Sequence, residues 1–400
     1  MKKTLTFLFL FLIITTPLSV QAEDGVEVLD ERVEYTFGGE LVFQIELESE
    51  MTVSQITLVL QAPGISTFVG EVLFISPGQA QFVYDLEQRP LPAFSTITYS
   101  YHLILDNGES VETPSYSFTY LDNRHNWQEL IEEPFIIYWY EGEITLAQEV
   151  LDAAVSGLDQ VLELLQQPAD NQPIVIFIYS SEEELQSTLA SIGQTWVGGH
   201  ADPGLGSIVV SLPPGVDQSL EIQRLIPHEI THILLYRFMG NEYQYLPAWF
   251  NEGLASQMEA FSHPDYDLVL EKAEGERGLI PFAHLCIAFP VDSDLALLSY
   301  AQSNSMLDYI QREYGVTGIQ AMIFAYDQGV SCERGVEVAL GTTLEELEND
   351  WKQDVFSRGR YLTYIFVLSG FLLLLLIFLG VLILSKFQGS EIEQEWDENE

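Results

Sequence analysis

Positive charge is scarce in this chain: 15 lysines and arginines stand against 60 aspartates and glutamates, a formal net charge of −45. Phosphate backbones are held by basic faces, so the balance argues against a nucleic-acid partner. The acidic excess favours solubility and can draw in basic peptides, although most of these carboxylates read as solvated surface. Cysteine is scarcer still, with Cys286 and Cys332 the only two. Neither belongs to a C-x-x-C pair, which excludes a thiolate zinc site. They are read either as one disulfide bracing the later helices, in an oxidising space, or as two buried free thiols. Internal repeats are absent, and low complexity is confined to two apolar ends. The 400 residues therefore suggest two or three structural units, ample for a sizeable core.

The apolar ends read as targeting segments. Lys2 and Lys3, an apolar core from Leu5 to Ile14, and Val20-Gln21-Ala22 have the parts of a secretory signal over residues 1–22. Tyr361 to Ser385 holds no charge and is rich in Leu, Ile, Phe and Val. At about 1.5 Å per residue it exceeds the roughly 30 Å hydrocarbon core, which predicts one transmembrane helix at 361–385. Lys352, Arg358 and Arg360 precede it and only Lys386 follows, against the usual positive-inside bias. The signal sequence outweighs that bias, because it commits the body to export first. The expected topology is a single-pass cell-membrane protein with its body outside the cytoplasm and an acidic cytoplasmic tail at 386–400.

Between these ends, residues 23–122 read as β. Leu41, Phe43, Ile45 and Leu47 alternate with Val42, Gln44, Glu46 and Glu48. A second alternation runs from Ile97 to Leu105 and reaches Asp106-Asn107-Gly108, a hairpin turn. About seven short strands suggest an immunoglobulin- or fibronectin-like sandwich, a spacer or substrate-presenting module. Polar residues 123–133 read as a linker. Beyond it lies an α+β domain over 134–357, opening with strands at Phe135–Tyr140 and Ile174–Tyr179. A glycine-rich loop at 198–204 and a strand at Ser207–Leu212 come next. His200 in that loop reads as a loop residue rather than a metal ligand. The later chain is helical, through Leu295–Tyr314, Thr317–Tyr326 and Leu344–Phe356.

The chemistry concentrates at His228-Glu229-Ile230-Thr231-His232, followed twenty residues later by Glu252 in Trp249-Phe250-Asn251-Glu252-Gly253. Residues Ser219 to Met239 read as a buried helix, and histidines four apart on a helix share one face. Their imidazoles can meet a single Zn²⁺, with Glu229 beside them to take a proton from a metal-activated water. Glu252 opens a second helical run, to Phe261, and supplies a carboxylate to complete a His₂Glu set. Pro227, ahead of His228, removes one helical hydrogen bond and is expected to kink or restart the helix.

These segments resemble the gluzincins, and specifically peptidase MA-like domains, over about Phe135 to Phe356. The resemblance implies His228, His232 and Glu252 as ligands of one zinc ion and Glu229 as general base. Leu225-Ile226-Pro227 and Tyr300-Ala301-Gln302-Ser303 are also similar to that group. Thermolysin-like members carry an Asp four residues after the ligand Glu to orient a histidine; this chain has Ser256 there, with Glu259 about one turn further. No segment similar to the G-A-M-E-N type is present, so the resemblance does not support an exopeptidase role. In a gluzincin-like layout the strand from Ser207 would edge the cleft and could hydrogen-bond an extended peptide.

The expected activity is zinc-dependent hydrolysis of peptide bonds in a peptide or protein substrate, with Tyr300 as candidate donor to the developing oxyanion. The alternative is a non-catalytic cell-surface binding protein with an inert or structural zinc site, which intact Glu229 argues against. An intramembrane protease is disfavoured by Glu221, Arg224, Arg237 and Glu242 around the motif.

Overall fold

The computed structural model describes residues 25–168, 170–190, 199–274, 278–356 and 368–380. The chain divides into two compact units. One holds the described residues up to Ala147 together with Pro173–Gly215; the other holds Gln148–Gln172 and the described residues from Val216 onward.

The first unit opens with β1 (Val26–Tyr35), β2 (Glu40–Ser49), β3 (Val53–Gln61), β4 (Phe68–Ser76), β5 (Gln79–Asp85), β6 (Thr96–Leu105), β7 (Ser110–Glu112) and β8 (Tyr116–Thr119). They pair in the order β1-β2-β5-β4-β3-β6-β7, with β8 also on β6. β4 pairs with β3 from Phe68 to Val72 and with β5 from Leu73 to Ser76, so one strand joins both faces of a sandwich-like half-barrel. Period-two burial explains the register. Leu41, Phe43, Ile45 and Leu47 are buried on β2, as are Ile56, Leu58 and Leu60 on β3. At the expected hairpin, Gly108 takes φ +84° and donates its N–H to the Leu105 carbonyl at 2.9 Å. The strand it leads into, β7, was not foreseen; Val111 anchors it in the core.

A second, five-stranded sheet in the same unit has the order β12-β13-β11-β10-β9. Its strands are β9 (Gln128–Glu132), β10 (Phe135–Trp139), β11 (Ile174–Tyr179), β12 (Gly199–Asp202) and β13 (Ser207–Ser211). Residues 123–133, expected as a linker, therefore carry a strand: β9 pairs antiparallel with β10. Just before it, the Asp122 side chain is buried and accepts hydrogen bonds from Arg124 Nη2 at 2.6 Å and the Tyr179 hydroxyl at 2.9 Å. Burial alone would raise that carboxyl, but these donors hold it below its ordinary range. The glycine-rich loop also needs correction, because Gly199–Asp202 pairs with β13 and His200 is a strand residue. β13 is in turn bonded on both sides, by β11 and β12, and is not a sheet edge; the edge strands are β12 and β9.

The first helix, α1 (Ile144–Leu165), enters the second unit at Gln148, and α2 (Glu182–Ala190) belongs to the first. The second unit continues with α3 (Gln218–Met239), a 3₁₀ turn at Gly240–Tyr245, α4 (Ala248–Met258), α5 (Tyr266–Lys272), α6 (Ser293–Tyr326), α7 (Cys332–Leu340) and a helix α8 over 344–356. α6 is broken at Gly315, where φ is 68° and ψ −179°, which separates the two helices read from the sequence. Part of the second unit's core is aromatic: Phe282 meets Trp249 and Trp351 edge-on, each at 5.3 Å between ring centroids. Cys286 and Cys332 are joined in a disulfide, which decides between the two states left open above.

The expected transmembrane helix is corrected. No helix among the described residues is long and apolar enough to cross a membrane. Within the uncharged run 361–385, residues 368–380 are helical. The rest of the run lies outside the described residues, as do the expected signal segment at 1–22 and the acidic tail at 386–400.

Candidate metal centre

α3 is buried along most of its length, and both motif histidines are only 8% exposed. His228 and His232 sit one turn apart with ring centroids 5.1 Å from each other. α4 carries Glu252 to them: its Oε2 lies 3.4 Å from His228 Nε2 and 3.6 Å from His232 Nε2. One ligand atom from each of the three residues falls within 4.8 Å of the others, the spacing of a group that can hold a metal ion. The residue after Glu252 explains how α4 is held in place. A Cβ on Gly253 would stand 2.7 Å from both the Ser303 carbonyl oxygen and Leu307 Cδ2, so only glycine lets α4 lie this close to α6.

The far side of each imidazole is also engaged. His228 Nδ1 lies 2.9 Å from Glu259 Oε1, and His232 Nδ1 lies 3.2 Å from Asn251 Oδ1. A carboxylate and an amide oxygen can only accept, so each Nδ1 carries a proton, and each Nε2, facing Glu252, is the nitrogen left for a metal to take in place of its proton. Asn251 is itself oriented, donating through Nδ2 to the Tyr243 hydroxyl at 3.1 Å. This donor set fits zinc: two imidazole nitrogens and one carboxylate oxygen converge in a largely buried pocket, and each imidazole has an acceptor on its outer nitrogen.

Electrostatics mark the same place. Burial opposes charge on His228, yet hydrogen bonds to Glu252 and Glu259 and the field of Glu229 raise its pKa to about 10. His232 is raised against the same burial by the charge and hydrogen bond of Glu252. Glu252 is held well below the usual carboxylate range, because the two imidazoles overcome its desolvation. Tyr300 also belongs to the neighbourhood, its ring centroid 6.5 Å from that of His228 and 4.9 Å from that of Phe289. The charge on Glu252, then burial and the charge on Glu229, push its phenol far above the ordinary value, so it stays protonated. Glu229 is buried, and its charge acts on His228, His232, Tyr243 and Tyr300 alike.

All five residues singled out from the sequence thus meet here: His228, Glu229, His232, Glu252 and Tyr300. His200 lies on β12 and is outside the three-residue group. Sequence reading assigned no role to Asn251 or Tyr243 and pointed to Glu259 beside Ser256 without assigning either. Only the adjacency of Asn251 to Glu252 hinted at the first; the partner of His228 is Glu259, seven residues after Glu252, rather than Ser256.

The sequence model of the peptidase MA superfamily matches residues 154–357. The chain belongs to the peptidase MA superfamily. The three residues that could hold a metal ion lie wholly inside the matched segment, as do Glu229, Asn251, Glu259 and Tyr300. No curated protein matches this peptidase MA chain in sequence. Among solved structures, OgpA from Akkermansia muciniphila, crystallised as an inactive form with an O-glycopeptide, is 21% identical over 26% of this chain and 32% of its own, with a TM-score of 0.20. A family 56 carbohydrate-binding module that binds β-1,3-glucan is 10% identical over 22% of this chain and 95% of its own, with a TM-score of 0.17. This chain therefore spans about a third of the length of OgpA, and none of these partial likenesses bears on its function.

Proposed function

We propose that this peptidase MA protein is a zinc metallopeptidase that hydrolyses peptide bonds in a peptide or protein substrate, working outside the cytoplasm. The observation that carries the reading is the convergence of His228 Nε2 and His232 Nε2 on Glu252 Oε2, with both Nδ1 atoms occupied from behind. His228, His232 and Glu252 would hold the ion. Bound zinc supplies a Lewis acid that lowers the pKa of water from about 15.7 toward roughly 7 and polarises a carbonyl. Glu229 accepts the proton from the attacking water and passes it to the leaving amine. Tyr300, kept protonated by the surrounding carboxylates, donates to the oxygen on which charge develops. The disulfide Cys286–Cys332 supports the extracytoplasmic setting, since such bonds persist in oxidising compartments.

The test is a peptide-library digest by purified protein, with and without chelator, beside the Glu229→Gln variant. Cleavage should stop on chelation and resume with added zinc. The variant should bind zinc normally and cut nothing. Turnover by Glu229→Gln would remove the assigned base, and a folded, zinc-loaded wild type that cuts no peptide would favour a binding role.

A further inference from the structure

Between Cys286 and Asp292 the chain reads Ile-Ala-Phe-Pro-Val, an uncharged segment in a chain with 60 acidic residues. Both of its ends are fixed. Cys286 is cross-linked to Cys332, and its carbonyl accepts the N–H of Ala248 at the start of α4. Asp292 caps α6, its Oδ1 accepting the Leu295 N–H at 3.0 Å. Pro290, between them, fixes its own φ. The side chains of this held segment are nevertheless uncovered, with Ile287 93% exposed and Val291 82%. Phe289 is half-buried and meets the ring of Tyr300 edge-on, at 4.9 Å between centroids. Tyr300 is in turn 6.5 Å from His228, so the segment reaches the candidate metal centre through one tyrosine.

Single exposed apolar residues are ordinary on a protein surface. Two of them flanking a half-buried phenylalanine, held at both ends beside a candidate catalytic group, form a patch of the kind that marks a binding surface. The peptide substrate proposed above supplies its occupant. Groups around His228 act on a peptide's carbonyl and amide, which every residue carries, and so do not choose between sequences. Selection falls to the surface that meets the side chains beside the reacting bond, and here that surface is apolar.

Resting on the metallopeptidase reading, we infer that Ile287, Phe289 and Val291 form a side-chain subsite, which selects peptides with a bulky apolar residue next to the bond that is cut. Such a residue removes apolar surface from water on both partners, whereas a polar one leaves the segment wet. Phe289 sets specificity and takes no part in the chemistry, because its contact is with Tyr300 and it is not among the three residues that could hold the ion.

Cleavage sites from a peptide-library digest by the full chain, read by mass spectrometry, should carry Leu, Ile, Val, Met or Phe beside the cut bond. A cleaved peptide is then compared with its twin bearing Ser at that residue. Wild type should favour the apolar peptide in kcat/KM by at least about 10-fold. Phe289→Ala, and the double variant Ile287→Ser, Val291→Ser, should each lower that ratio by about threefold or more, with zinc content unchanged. The double variant alters only exposed side chains, so it decides the matter where Phe289→Ala disturbs Tyr300. Phe289→Leu stays apolar and should keep most of the ratio. Fluorescence anisotropy of a labelled peptide pair differing only in Leu or Ser, on the metal-free chain, reads the same preference without turnover. A wild type that cuts without regard to this residue, or a ratio unchanged in both variants, would overturn the subsite. A double variant that loses affinity for phosphatidylcholine vesicles but keeps the ratio would assign the segment to a membrane surface instead. A wild type that cuts nothing would defeat the metallopeptidase reading. An apolar preference in anisotropy would then leave the subsite standing, and equal binding of the two peptides would remove it as well.

Discussion

The backbone N–H of Ala248 donates to the carbonyl of Cys286 at 3.0 Å, so a disulfide-bonded residue caps the helix that presents Glu252. α4 has no side-chain cap at Pro247, which makes this carbonyl the partner of its first N–H. Phe282, four residues earlier, is wedged between Trp249 and Trp351 and fixes the same segment.

Removing the cross-link should therefore act on stability and on the metal group together. Closing a loop over a separation of 46 residues is worth about 4 kcal/mol in the chain-entropy account. A Cys286→Ser, Cys332→Ser double variant should lose most of that in urea unfolding and bind zinc more weakly. Equal stability and equal zinc affinity would mean that the cross-link does not support α4.

Tyr300 should matter to turnover and not to the metal. Its phenol is protonated and close to His228, yet Tyr300 is not among the three residues that can hold the ion. Tyr300→Phe is expected to lower kcat by about 10²-fold, as for loss of one oxyanion donor, with zinc affinity unchanged. Steady-state kinetics on a cleaved peptide decide it, and unaltered kcat would leave the tyrosine as packing against Phe289.

The metal-free protein should show a definite pH dependence. The pKa of His228 is raised to about 10, so its stabilising contribution is complete below the unfolded value of about 6.5 and is lost as pH rises toward 10. Glu252 is depressed, so its contribution is present above about 4.5 and lost as pH falls below that. Metal-free stability from this cluster should peak between those limits. Zinc competes with the imidazole protons, so zinc-induced stabilisation should grow between pH 6.5 and 9. Thermal unfolding with and without zinc across this range checks both; a zinc effect independent of pH would contradict the protonation assigned to His228.

What the sequence made legible follows from local periodicity. A four-residue spacing places two histidines on one helical face wherever a helix forms, and the apolar run around His228 secures the helix. Strands such as β2 and β3 were readable because their buried residues alternate strictly. The gap between Tyr314 and Thr317 became a real break, at Gly315. Features that depend on distant partners were not readable. Glu259 gains its place from a backbone bond between Ala260 and Gln223, which no local pattern encodes. β12 is written Gly-His-Ala-Asp, with poor strand propensity, and exists because Ile208–Val210 offers it a ladder. β9 hides in a polar stretch for the same reason, paired along β10. The run at 361–385 is apolar by composition, but among the described residues no helix is long and apolar enough to cross a membrane.

The central claim is met most directly by zinc stoichiometry on the purified chain, measured by elemental analysis after dialysis against metal-free buffer. Wild type should retain one zinc per chain, whereas His232→Ala and Glu252→Ala, folded by circular dichroism, should retain essentially none. A wild type without zinc, or variants that keep a full equivalent, would contradict the assignment of His228, His232 and Glu252 as its ligands.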